Sequence, residues 1–205
     1  MTENNMRINR SFNIRSIDNE SRTIEGQSIV YDSWSRDLGG FIERIEPGAV
    51  TEELLLNSDI IMNYNHDDNQ MLARYTKGEG TLRLELREDG LYFSFDAPET
   101  ALGDEILYHI RNGNLTECSF ACTISRDNIR RFKDEEGRYV QVIEKIDGLY
   151  DCSVVSRAAY GSTSVAARDG EPDDKEFEEI KQEVDEKEIL DELNSLRDNF
   201  LNEIS

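Results

Sequence analysis

The chain has 205 residues and carries 44 acidic against 23 basic residues, a formal net charge of −21. This length suits one ordinary domain with an appendage, and no run approaches the roughly 18 apolar residues of a membrane-spanning helix. The strong negative charge argues against direct nucleic-acid binding, which needs clustered Lys and Arg side chains at the phosphates.

Residues 1–10 are polar and are expected to be frayed, and they lack the apolar core of a secretory signal. The chain has three cysteines. An odd number of cysteines without an export signal predicts reduced thiols in a cytoplasmic setting.

Between residues 11 and 168, short runs of β-branched and aromatic residues alternate with turn signals. This pattern predicts a β-rich α+β domain, a mostly antiparallel barrel or sandwich with one or two helices. The segment TLRLELREDGLYFSFDA predicts a hairpin that turns at Asp89-Gly90. The other predicted elements are helices at residues 50–57 and 99–113 and strands within residues 10–17 and 23–33 and at residues 41–45, 59–66, 116–124, 138–146 and 149–156.

Residues 169–205 form a separate acidic tail behind a polar linker. From Glu171 to Ser205 there are fourteen acidic and four basic residues, a net charge of −10. Apolar residues recur at spacings of three and four from Phe177 to Ile204, which predicts an amphipathic helix or a coiled coil. Such a helix either docks on its own domain or binds a partner, a second copy included.

The segment NGNLTECSFACTIS (residues 112–125) contains three candidate nucleophiles. If residues 116–124 form a strand, Cys118 and Cys122 share a face with bulky apolar residues. Ser119 lies on the other face, among small residues that leave room for a reactant. Alternation therefore favours Ser119 as the accessible nucleophile, although a serine in a strand is most often ordinary.

A serine nucleophile needs a base, and the chain has only two histidines. His66 ends the predicted strand 59–66 on its apolar face, a position that would be partly buried and oriented. His109 lies in a predicted helix beside Ile106 and Ile110, where a packing or surface role is the simpler interpretation. His66 is therefore the candidate base.

The third member of a triad must orient the imidazole and stabilise its charged form. Glu144 lies on the apolar face of the predicted strand 138–146, and a buried carboxylate needs a partner such as His66. The other interpretation of Glu144 is a solvent-facing residue at a sheet edge. Asp151 and Asp67 are the rival acids.

Other chemistries fit less well. His66, Asp67 and Asp68 lack the spacing of a zinc or two-metal site. Residues 78–80 (GEG) are too short for a phosphate-binding loop. A Cys118–His66 pair is the remaining alternative, although alternation points this thiol away from the face of the serine.

Four segments, in this order and spacing, resemble the tailed-phage prohead serine protease family, which is similar in fold to the herpesvirus assembly proteases. They are FIERIEPGAV, NYNHDDNQMLAR, REDGLYFSFDAPETALGDEILYHIRNGNLTECSFACTI and IDGLYDCSVVSRAAYGSTSV. The resemblance covers residues 10–168. It implies a serine protease domain at residues 11–168, built as a herpesvirus-protease-like, mostly antiparallel β-barrel.

The resemblance also implies a Ser-His-Glu endopeptidase, with Ser119 as nucleophile, His66 as base, Glu144 as acid and Arg157 supporting the oxyanion. Its substrates would be the scaffold or the capsid-subunit extension, and itself, inside the procapsid in the host cytoplasm. The implied partners are the major capsid protein, the scaffold and a second copy through the tail, with no nucleic acid, membrane, cofactor or metal. The competing hypothesis is a non-catalytic capsid-assembly protein with a coiled-coil tail.

Overall fold

The computed structural model describes residues 7–8, 14–16, 21–35, 37–156 and 174–203. Most of the described elements are β-strands, and three α-helices lie between or after them in the chain. In chain order the elements are β1 (Arg7–Ile8), β2 (Ile14–Ser16), β3 (Thr23–Val30), β4 (Phe41–Ile45), α1 (Glu52–Asn57), β5 (Asp59–Tyr64), β6 (Asp67–Thr76), β7 (Glu79–Gly80), β8 (Arg83–Arg87), β9 (Gly90–Asp96), α2 (Ala101–Arg111), β10 (Glu117–Thr123), β11 (Ile129–Lys133), β12 (Tyr139–Ile143), β13 (Gly148–Val155) and α3 (Asp174–Glu203).

The strands form three sheets. The largest has the order β1-β10-β13-β5-β6-β7, the second β2-β3-β9-β8 and the third β11-β12-β4. Within the described residues all pairings are antiparallel except β13 with β5 and β12 with β4. The predicted strand-rich α+β class is confirmed. The sheets, as described, do not close into one barrel, so the predicted barrel is not confirmed.

Local sequence accounts for both short helices and the hairpin. The Thr51 hydroxyl accepts a hydrogen bond from the Leu54 amide at the start of α1, and Thr100 caps α2 in the same way. The predicted hairpin is present between β8 and β9, but its turn is Glu88-Asp89, one residue before the predicted Asp89-Gly90, because Gly90 already pairs with Arg87. These elements form where the sequence predicts them because capping and turn chemistry act over a few residues.

Two long strands, β6 and β11, are absent from the prediction, as are the two-residue strands β1 and β7. β6 begins with the polar run DDNQ, and β11 carries two arginines and a lysine in five residues. Neither has the apolar alternation of an isolated strand signal. Their strand conformation comes from backbone pairing with β5 and with β12. Pairing between strands therefore overrides weak local preference here.

At the N-terminus, Arg7–Ile8 pair with β10 opposite Phe120 and Ala121, so the segment predicted to be frayed contributes a short strand. The rest of residues 1–10 lies outside the described residues, as do residues 157–173 and with them the predicted linker. Across the described ranges, no helix combines the length and the apolar character that crossing a bilayer requires.

The predicted tail helix is present as α3, and its N-terminal part docks on the body. Ile180 and Val184 are fully buried and pack with Leu38 and Phe41. We call Phe177, Ile180 and Val184 the docked stripe. Ion pairs flank it: Arg131 bonds Glu183 at 2.7 Å, and Lys133 bonds Glu188 at 2.9 Å and a neighbouring aspartate.

The next apolar residues of α3 lie on the opposite side of the helix. From Val184 to Ile189 the helix turns by about 140° beyond one full turn. Ile189, Leu190 and Leu193 are accordingly 57–58% exposed. We call these three residues the outer stripe. The tail helix therefore both docks on its own domain and leaves an apolar face uncovered within the described structure.

Candidate active site

Three central strands place a row of polar side chains on one face of the largest sheet. Ser119 on β10 lies opposite Ser153 on β13, and Ser153 lies opposite Asn63 on β5. Directly paired residues share a face of the sheet, and all three side chains are fully buried. Asp151 lies two residues before Ser153 and so projects from the same face.

The hairpin between β5 and β6 carries His66 to this row. The expectation that His66 ends a strand on its apolar face is wrong, because β5 ends at Tyr64 and the turn brings the imidazole to the face of Asn63 instead. Tyr64 pairs with Asp67, and the two residues between them, Asn65 and His66, have φ angles of 53° and 59°. Positive φ at both central residues is typical of a type I′ turn, where Asn is favoured at the first position. The conformation is strained for His66 because its Cβ crowds the backbone.

The imidazole of His66 joins a serine and an aspartate. Its Nε2 lies 2.8 Å from Ser119 Oγ, and its Nδ1 lies 2.8 Å from Asp151 Oδ1. A carboxylate can only accept, so Nδ1 carries the proton and Nε2 presents its lone pair to the serine hydroxyl. The His66 and Asp151 side chains are only 12% and 9% exposed. The arrangement can remove a proton from Ser119 and stabilise the imidazolium that results.

The predicted sidedness of β10 is confirmed. Cys118 and Cys122 are buried in the core on the face opposite Ser119, and Cys118 donates a hydrogen bond to the Gln27 carbonyl. Burial raises the pKa of the Cys122 thiol and raises that of Cys152 to about 12. All three cysteines fall in the described part of the chain, where they form no disulfide. Such thiols are poor nucleophiles because the reactive species is the thiolate.

One expectation about Ser119 is wrong. The small neighbours on its face were expected to leave its hydroxyl accessible, but the side chain is fully buried in this structure. The His66 ring lies against it through the Nε2 contact. Small neighbours on the same strand leave space beside a side chain only if no residue from another part of the chain fills that space, and here His66 fills it.

The structure does not bring Glu144 to His66. The strand β12 ends at Ile143, so the alternation that predicted a buried Glu144 stops one residue too early. The Glu144 side chain is 42% exposed and bonds Arg130 at 2.8 Å. This corrects the expected Ser-His-Glu grouping, since the carboxylate at His66 belongs to Asp151, one of the two rivals.

The remaining candidates lie elsewhere. Asp67 accepts hydrogen bonds from Asn69 and Gln70, which hold the pKa of its carboxyl below the usual value. His109 is on the exposed part of α2, 4.0 Å from Glu105. Arg157 lies outside the described residues. In the part of the chain that the structure describes, no three His, Cys, Asp or Glu side chains are grouped to hold a metal ion.

Sequence reasoning missed Ser153 and Asn63, which complete the polar row. The signal was present in part: Asp151 and Ser153 alternate with the apolar Cys152 and Val154 along β13. Two buried polar residues at a spacing of two indicate a polar face. Only the pairing of β13 between β10 and β5 shows that this face is also the face of Ser119.

The strained turn leads to a stability prediction. Replacing His66 with Gly should give a more stable protein than replacing it with Ala, by about 1 kcal/mol, because Gly tolerates positive φ. Both variants lack the imidazole, so the difference between their stabilities reports the backbone strain at this position alone. Thermal unfolding followed by circular dichroism should show Tm values about 2–4 °C apart.

The matched control for this prediction is Glu53, an exposed residue in α1. Gly is the poorer residue in a helix, so Glu53→Ala should be more stable than Glu53→Gly. If His66→Ala also proves more stable than His66→Gly, the left-handed conformation assigned to this turn is wrong.

Comparison with known proteins identifies the family of the chain. The family model described as caudovirus prohead serine protease matches residues 10–182, well over half of the chain. No curated protein and no solved structure is similar enough to count as a match. The matched range includes Ser119, His66 and Asp151 and reaches into α3. The chain belongs to the caudovirus prohead serine protease family.

Proposed function

We propose that this protein is a prohead maturation endopeptidase in which Ser119 is the nucleophile, His66 the general base and Asp151 the residue that orients the histidine. The observation that carries the proposal is the unbroken line of contacts from Ser119 through His66 to Asp151, at 2.8 Å on each side of the imidazole. The family to which the chain belongs supports the same class of reaction.

The reaction follows from the protonation states. Ser119 Oγ attacks the carbonyl carbon of the scissile peptide as its proton passes to His66 Nε2. The imidazolium, held by Asp151 at Nδ1, then gives this proton to the leaving amine, and an acyl-enzyme remains. Water then hydrolyses the acyl-enzyme: its oxygen attacks the acyl carbon as His66 Nε2 takes its proton. The ester bond to Ser119 Oγ breaks, the new carboxylic acid leaves, and Ser119 takes the proton back from the imidazolium.

Arg157 is the proposed oxyanion support. It directly follows Ser156, whose amide donates to Asn65 Oδ1 at 3.0 Å. This bond holds the end of β13 beside the turn that carries His66. If the Arg157 guanidinium supplies this support, its removal should lower turnover by about 10²–10³-fold, the usual effect of losing one oxyanion donor.

The proposed substrates are the scaffold or the capsid-subunit extension inside the procapsid of the host cell, and the protein itself. Residues 11–168 form the protease domain of this proposal, and residues 169–205 form the tail that brings it to its partners. The test is incubation with the capsid subunit and mapping of new chain termini by mass spectrometry. New termini on the capsid subunit support the proposal, and unchanged termini favour the non-catalytic assembly protein.

A second copy is the proposed occupant of the outer stripe. Ile189 and Leu193 take positions d and a of a heptad, and the sequence continues with Leu196 and Phe200 at the same spacing. In a parallel pair, Glu192 at position g faces Arg197 at position e of the other copy. Oppositely charged residues at these two positions form the ion pairs that are common between coiled-coil helices. The exposure of Ile189 and Leu193 supports this pairing.

Leu193→Asp should convert the dimer to a monomer, because it places a charge in the apolar seam. Sedimentation equilibrium should give twice the 23.6 kDa chain mass for the parent protein and the single mass for the variant. Because the tail is acidic, two paired copies repel each other electrostatically. Salt screens this repulsion, so the dimer should be more stable at about 1 M salt, where the Debye length falls to about 3 Å.

The matched control is Leu56→Asp on α1, since Leu56 and Leu193 are both 58% exposed. This variant should still dimerise. A parent protein that is monomeric at all salt concentrations, or a Leu193→Asp variant that still dimerises, contradicts self-association through the outer stripe.

A further inference from the structure

A fourth polar side chain touches the His66–Asp151 pair. Ser153 Oγ lies 3.0 Å from His66 Nδ1 and 3.1 Å from Asp151 Oδ1, and it also bonds Asn63 Oδ1. We propose that Ser153, oriented by Asn63, is a positioning residue that fixes the tautomer of His66. This inference rests on the proposed function, since it concerns the same site.

The direction of each hydrogen bond follows from counting protons. Ser153 has one hydroxyl proton, whereas an amide oxygen and a carboxylate can only accept. The amide of Asn63 is oriented by its other end, because its Nδ2 donates to Asp68 Oδ1 at 3.2 Å. Its oxygen is thereby turned toward Ser153 and takes the hydroxyl proton.

With its proton committed to Asn63, Ser153 turns a lone pair toward His66 Nδ1. The Nδ1 proton then lies between two acceptors, Asp151 Oδ1 and Ser153 Oγ. A proton on Nε2 would break both of these contacts and remove the acceptor that Ser119 needs. The chain Asp68–Asn63–Ser153 therefore reinforces Asp151 in selecting the imidazole tautomer that can act as a base.

Burial makes this selection strong. Ser153 and Asn63 are fully buried, and a buried polar group without a partner is costly. Neither side chain can turn away to solvent as an exposed one would. Ser153 thus holds the histidine at Nδ1, whereas Ser119 contacts the other ring nitrogen, Nε2.

The test is ¹⁵N NMR of histidine-labelled protein combined with steady-state kinetics. The parent protein should show His66 protonated at Nδ1, and the two histidines of the chain are assigned by comparison with His109→Gln. Ser153→Ala keeps Asp151 as an acceptor at Nδ1, so the Nδ1 tautomer should remain the major form and a detectable fraction of the Nε2 tautomer should appear beside it. The substitution should lower kcat about 10–100-fold, the effect of one hydrogen bond to a charged group, with KM unchanged.

Two further variants make the result specific. Ser153→Thr keeps the hydroxyl and should restore the single tautomer. Ser28→Ala removes another fully buried serine hydroxyl, which bonds the Leu91 carbonyl and lies outside the site; it should leave the tautomer and kcat unchanged.

The outcomes separate the inference from the proposed function. If Ser153→Ala keeps the Nδ1 tautomer alone and the parent kcat while Ser119→Ala is inactive, the positioning role is wrong and the protease assignment stands. If Ser119→Ala remains active, the assignment of Ser119 fails whatever the NMR spectra show.

Discussion

Ser119→Ala is expected to abolish peptide-bond cleavage, lowering kcat by about 10⁶-fold. The variant retains His66 and Asp151 but has no oxygen to form the acyl-enzyme. It removes only a hydroxyl from a fully buried position on β10, so the fold should persist. The measurement is the rate at which new termini appear on the capsid subunit and on the protein itself, followed by mass spectrometry.

The matched control is the double variant Cys118→Ala, Cys122→Ala on the same strand. Both thiols face the core, so cleavage should continue at close to the parent rate even if the variant unfolds at a lower temperature. An inactive but folded double variant, together with an active Ser119→Ala, would replace the serine mechanism with a thiol mechanism.

Asp151→Asn carries the second largest expected effect, a loss of about 10⁴-fold in kcat. The change keeps the shape of the side chain but removes the negative charge that stabilises the imidazolium. It can also turn an amide donor toward His66 Nδ1, which favours the unproductive tautomer. Steady-state cleavage of a peptide that spans a mapped site measures the loss.

Glu144→Gln is the matched control for this prediction, because it makes the same chemical change in the other candidate acid. Glu144 bonds Arg130 at the surface, and such exposed ion pairs contribute about 1 kcal/mol at most. Its kcat should therefore stay close to that of the parent protein. A large loss in Glu144→Gln with little change in Asp151→Asn would return the acid to Glu144.

Much of the fold follows from local patterns in the sequence. The predicted helices at residues 50–57 and 99–113, the predicted hairpin near Asp89-Gly90 and the predicted strand at residues 116–124 each correspond to an element that the structure contains. These signals work because caps, turns and strand faces depend on residues close together in the chain. The same locality predicted the face on which Ser119 lies and the choice of His66 over His109.

The choice of the carboxylate that contacts His66 could not be made from local patterns. Alternation identified Glu144 only by assuming that its strand continued to residue 146, and β12 ends at Ile143. Asp151 was already a rival, but nothing in the segment LYDCSVV says which strand lies beside it. The parallel pairing of β13 with β5 brings Asp151 and Ser153 under the turn that carries His66.

The tail likewise has one feature that the sequence predicts and another that only the structure shows. Spacings of three and four predict the helix α3, and sequence alone left open whether it docks or binds a partner. The structure shows docking through Ile180 and Val184, because Leu38 and Phe41 offer an apolar surface there. The outer stripe remains exposed, since the helix turns its later apolar residues to the other side.

The sequence by itself therefore determined most of the element types, the sidedness of β10, and the serine and histidine candidates, all of which depend on near neighbours in the chain. Only the tertiary structure showed which acid contacts His66, that Ser119 is buried, and that Ser153 and Asn63 belong to the polar row beside the histidine. The physical reason is that the row Ser119–Ser153–Asn63 joins three strands far apart in sequence. Its members meet only through backbone pairing, and the pattern within any one strand carries no information about its neighbours.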